Sequence, residues 1–131
     1  MSGYALSVTV ERPFADTLDA TRAALAEQGF GVLTEVDLAG TLEAKLDVDL
    51  PPQVILGACR PPLAYAAVRA EPSIGLLLPC NVVVRAVDDS TTRVEAMDPD
   101  AMVGLTGNEQ LGDVATEART LLAAALESLT R

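Results

Sequence analysis

Apolar and polar residues alternate over 4–11 (YALSVTVE), with Leu6, Val8 and Val10 on one side. That is the period of a half-buried strand. From Pro13 the period changes, and Phe14, Leu18, Thr21 and Leu25 recur at helical spacing. Pro13 suits the opening of a helix, Asp16 and Asp19 suit its first turns, and Gln28–Gly29 supplies a stop. Residues 31–37 (GVLTEVD) read as a second strand, and Leu38–Leu46 predicts a short helix closed off by Pro51–Pro52. The next strand, 54–59 (VILGAC), is apolar on both faces, as a central strand is. Pro61–Pro62 then starts a short helix to Ala70, and Leu76–Leu78 with Pro79 leads into a strand over Asn81–Ala86. Asp88–Asp89–Ser90 is a turn and Thr92–Met97 the returning strand. Asp98–Pro99–Asp100 caps a helical turn through Val103, and Gly104, Gly107 and Asn108 form a loop. The final helix is expected over Glu109–Leu129, with Leu111, Val114, Ala118, Leu121, Leu122, Ala125 and Leu129 inward.

The main elements therefore run β-α-β-β-β-β-α, with small helices on each side of the third strand. Two amphipathic helices against one mostly antiparallel sheet make an α+β sandwich. With 131 residues, and no repeat, low-complexity tract or linker, the chain reads as a single domain over 1–131. The N-terminus lacks a basic and apolar leader pattern, and no window approaches 18 consecutive apolar residues. Two cysteines in a chain of this length are no disulfide scaffold. Together these features predict a cytoplasmic protein with reduced thiols.

Charge narrows the function classes. Nineteen acids against nine bases give a net charge of -10, which argues against nucleic acid or an anionic membrane as a partner. The absence of His removes the commonest general base and the commonest metal ligand. The charge is also uneven. Residues 50–87 hold one acid, Glu71, and three bases, Arg60, Arg69 and Arg85, together with both cysteines and six of the eight prolines. That stretch is either a site or simply core.

Cys59 ends a strand and precedes a Pro-initiated helix, beside Arg60. A helix N-terminus and a guanidinium both lower a thiol pKa. Cys80 begins the next strand, so antiparallel neighbours would bring the two thiols to one end of the sheet. Such a pair is either two packed cysteines or a site. A site could hold a soft metal or haem iron, across an interface if need be, or perform thiol exchange. There is no Cys-x-x-Cys, and two thiols make only half of a zinc site, which Asp98 or Glu71 would have to complete. Tyr65 is placed to line a pocket beside Cys59. Glu43, Lys45, Asp47 and Asp49 read as solvated, and the glycines form neither a dinucleotide fingerprint nor a P-loop.

The segments EQGFGVLTEVD (27–37), TLEAKLDVDLPPQVILGACRPPLAYAAV (41–68), EPSIGLLLPCNVVV (71–84) and AMDPDAM (96–102) resemble the small prokaryotic family catalogued as domain of unknown function 302. The combination of ILGAC-x-PPLA with GLLLPCNVVV is its most specific part. The resemblance implies a TATA-binding-protein-like fold, β-α-β(4)-α, and dimers, and it brings no established activity. Arg60 stands where the family is expected to carry Asn, which would favour an anionic ligand here.

Three readings follow. The first is a non-enzymatic module binding a small ligand, metal or haem near Cys59 and Cys80, with Arg60, Asn81 and Tyr65 nearby. The second is a thiol-redox or sulfur-handling enzyme with Cys59 as nucleophile and Cys80 resolving. The third is a structural or interaction protein whose cysteines only pack. A homodimer is expected, because a chain that is 50% hydrophobic leaves aliphatic surface to cover, with Ile74, Leu76–Leu78 and Val82–Val84 the expected excess. The charge balance generates one direct test. No specific binding to duplex DNA is expected in a gel shift at roughly 150 mM salt, where phosphate neutralisation drives association. A submicromolar complex would contradict it.

Overall fold

The computed structural model describes residues 3–131. Five strands form one sheet: β1 (Ala5–Val10), β2 (Gly31–Asp37), β3 (Gln53–Cys59), β4 (Cys80–Ala86) and β5 (Thr92–Met97). Their order is β1-β5-β4-β3-β2, and every neighbouring pair is antiparallel. The helices are α1 (Phe14–Glu27), α2 (Leu38–Leu46), α3 (Pro61–Ala70), α4 (Asp100–Thr106) and α5 (Gly112–Ser128). The main-element order is β-α-β(4)-α, an α+β architecture as the periodicity predicts.

The register aligns apolar residues into rows across the sheet. Leu56, Val82, Ala96 and Leu6 form one row, and Val54, Val84, Val94 and Val8 the next. Most of these side chains are buried beneath α1 and α5, which contribute Ala24, Leu25, Leu122, Ala125 and Leu126. Each fully buried Leu or Val stabilises by about 1.5–3 kcal/mol, so these rows carry most of the driving force. The intervening positions, Ser7, Thr9, Arg93, Glu95, Arg85 and Gln53, fall on the other face by strand alternation. There Arg85 bonds Glu95 at 3.1 Å. Thr21, at a core position of α1, is buried with its hydroxyl donating to the Thr17 carbonyl at 2.7 Å.

A second apolar cluster lies apart from the first. Ala67 of α3, Ile74, Met102 of α4 and Leu111 are its buried members. It is built from the insertions around β4 and β5, including a 3-10 helix over Pro72–Leu77. Asn108 ties these insertions together. Its side-chain amide donates to the Ala70 carbonyl at 2.8 Å and to Glu71 at 2.9 Å. Its side-chain oxygen accepts from the Gln110 amide, which makes Glu109–Leu111 a 3-10 turn. That local bond competes with the helix, so α5 begins at Gly112 and not at Glu109.

The surface differs from expectation in one respect. Ile74, Val82 and Val84 are fully buried, so they are not the excess aliphatic surface expected to drive dimerisation. Leu76 alone of that group is largely exposed, at 88%. The other exposed large apolar residues include Val32, Leu33 and Val36 on β2 and Leu46, Val48 and Leu50 after it. No helix among the described residues is long and apolar enough to cross a membrane.

One glycine is required by close approach. A Cβ at Gly57 would run into the Thr34 hydroxyl and stand 2.7 Å from Cγ of Pro79. Overpacking of this kind costs about 1–3 kcal/mol. Gly57→Ala is therefore expected to lower the unfolding free energy from urea denaturation by that amount, with Thr34→Ala in the same chain restoring part of it. Parent-like stability of the single variant would show that the strands separate freely here.

Candidate functional site

Cys80, the first residue of β4, stands directly across from Ala58 of β3, and Cys59 is the next residue along. One strand spacing of about 4.8 Å and one residue of offset, about 3.4 Å, separate the two backbones. The antiparallel topology thus brings the cysteines to one end of the sheet, as the sequence predicts. Both are free thiols, half-buried. Alternation places Cys80 on the helix face with Val82 and Val84. Cys59 is the last residue before the chain leaves the sheet for α3.

The two cysteines line one cavity of about 290 Å³. It lies at the seam between the two apolar clusters. Phe30 and Ala58 come from the main core, and Ala67 and Met102 from the second. Leu63 and Ala64 of α3, Leu78, Pro79, and Val114 and Ala118 of α5 complete most of the wall. The space exists because small side chains meet where β3, α3 and α5 converge. Ala58, Ala67 and Ala118 are all buried, and none is large enough to fill it.

Arg60 also lines the cavity, but its Nε donates to the Gln28 carbonyl at 3.1 Å. Gln28 caps the C-terminus of α1, where a cation is favoured by the helix dipole. The packing is close: a Cβ on Gly29, at φ +84°, would stand 3.0 Å from Arg60 Nε. The α3 N-terminus is equally engaged. Pro61 and Pro62 have no N–H, and the amides of Leu63 and Ala64 both donate to the Arg60 carbonyl at 3.0 Å. The helix start and the guanidinium expected to act on Cys59, or on an anion, therefore have other partners.

Residues 6–129 match the family model described as "Domain of unknown function DUF302". The chain belongs to the DUF302 family. A crystal structure of an uncharacterized conserved DUF302 protein from Bacillus stearothermophilus is 28% identical and superposes with a TM-score of 0.89, covering 99% of this chain and 100% of that one. No curated protein matches.

In this DUF302 protein, two of the five residues singled out in the sequence lie away from the cavity wall. Tyr65 is 65% exposed on α3, with the Arg69 guanidinium 5.7 Å from its ring centroid. Asn81 pairs with Gly57 and lines a separate, polar depression of about 430 Å³ with Tyr4, Gln53, Arg85 and Glu95. The possible oxygen ligands are elsewhere too. Glu71 accepts from Asn108, and Asp98 pairs with Arg119 at 3.1 Å. Among the described residues no group of three or more His, Cys, Asp and Glu could hold a metal. Sequence reasoning missed Met102 and the alanines of the wall. Ala64 and Ala67, one helical turn apart on α3, were a legible signal for a shallow helix face, whereas nothing in the sequence pointed to Met102.

Burial, and then the neighbouring Cys59 thiol, raise the Cys80 pKa above its ordinary 9.0. The folded protein therefore holds this proton more tightly than the unfolded chain. Its contribution to stability is full below pH 9.0 and is lost as pH rises through the higher native value. Urea unfolding should show stability falling from neutral to alkaline pH, and Cys80→Ala should remove part of that fall. Parallel pH profiles for variant and parent would contradict the assignment.

Proposed function

We propose that this DUF302 protein is a non-enzymatic binding module that holds a small, weakly hydrated guest in the cavity at the seam. The observation that carries this reading is a cavity whose wall combines both thiols with a lining that is apolar apart from Arg60. A space of about 290 Å³ falls at the low end of small-molecule sites, which run from roughly 300 to 1,000 Å³. The volume favours a compact guest over the much larger haem macrocycle. The lining selects by desolvation. With few hydrogen-bonding partners in the wall, a strongly hydrated guest gives up its water without replacement, at several kcal/mol per polar group.

The thiol-redox reading draws less support. It needs an ionisable pair able to close into a disulfide. Burial keeps the Cys80 thiol protonated, and Cys59 is offset by one residue from the position directly across from Cys80, which disfavours the bridge.

An uncharged solvatochromic dye tests the proposal. It is expected to bind with a blue-shifted emission, and Ala64→Phe, which fills the cavity from a half-buried position, should weaken binding at least tenfold without changing the far-ultraviolet circular dichroism. Equal dye binding by parent and variant, or no binding by the parent, would remove the cavity as the site.

A further inference from the structure

We infer that the cavity binds a soft monovalent metal ion, of the Cu(I) class, through the sulfurs of Cys59, Cys80 and Met102. This rests on the reading of the cavity as the binding site and narrows its guest. Three separate elements bring a sulfur-bearing residue to this one wall: Cys59 from the end of β3, Cys80 from the start of β4, and Met102 from α4. Met102 is only 4% exposed and belongs to the second apolar cluster, so its thioether is held inside the protein.

The donor set discriminates among metals. Thiolate and thioether are soft ligands, and together they select Cu(I). Calcium and magnesium require several oxygen ligands, and the cavity wall contains no carboxylate. Zinc prefers four ligands drawn from Cys, His and carboxylate, and the described residues offer no group of even three. A soft monovalent ion is satisfied with two or three sulfurs.

The geometry that disfavours a disulfide tolerates an interposed ion. A disulfide demands sulfurs about 2.05 Å apart. Two metal–thiolate bonds of about 2.3 Å let the sulfurs stand up to roughly 4.6 Å apart, which relaxes the demand on the offset pair. In the step itself each thiol loses its proton to solvent as its sulfur bonds the ion. No electrons are transferred. The resulting complex carries one negative charge.

The test uses the full chain, reduced and free of oxygen, titrated with Ag(I) as a redox-inert probe and with Cu(I) against a chromophoric Cu(I) chelator. Binding of one ion per chain with a sulfur-to-metal absorption band in the ultraviolet is expected. Cys59→Ala and Cys80→Ala should each weaken binding at least about a hundredfold, and Met102→Leu, which keeps the volume, about tenfold. Circular dichroism of each variant checks that the fold is retained. Bound metal should also expel the uncharged dye. If the dye binds and neither ion does, the metal inference fails and the cavity reading stands. If neither ion nor dye binds, both fail. Ion binding undiminished in the single-cysteine variants, or unchanged in Met102→Leu, would overturn the three-sulfur assignment, as would Zn(II) binding as tight as Cu(I).

Discussion

Two apolar clusters meet in this protein without merging, and the reason is the size of the side chains between them. Where β3, α3 and α5 converge, Ala58, Ala67 and Ala118 face a common space. This pocket marks a place where the surrounding elements do not close on one another. Something must hold the walls apart. The sheet rows fix β3 and β4, and α1 with α5 cover them. The insertions are then pinned separately: Arg60 to the end of α1, Asn108 to the end of α3, and Asp98 to Arg119 on α5. None of these bonds is deep enough to carry the fold. Each fixes the position of one wall relative to another.

The same anchoring sets the chemical character of the space. Arg60 and the α3 N-terminus are the obvious sources of positive potential, and both already have partners within the protein. What remains is sulfur and hydrocarbon. A buried thiol in such surroundings stays neutral, which makes it a poor nucleophile.

The architecture was legible because the hydrophobic period is clean where the core is. β5 falls on the residues that the pattern predicts, since its alternation answers to one buried face, and β2 falls on its predicted residues although all seven are exposed at the edge of the sheet. The ends of elements were less legible. Asn108 moved the start of α5 by three residues through a side-chain bond that no periodicity encodes. The site was half legible. Cys59 and Cys80 could be paired by topology alone, because an antiparallel return starts where its predecessor stops. Tyr65, expected to line the pocket, is instead 65% exposed on α3. Met102 lies on a separate insertion, and only the packing of α4 brings it to the cysteines.

The paired prolines at the start of α3 have a further effect. A protein of net charge -10 already repels anions at a distance. At short range, an anion that did reach the cavity would look for backbone amides, and Pro61 and Pro62 offer none. Phosphates and carboxylates are thus rejected twice, once by the field and once by the missing N–H groups. For the guest proposed above, this rejection would act as a filter against negatively charged compounds.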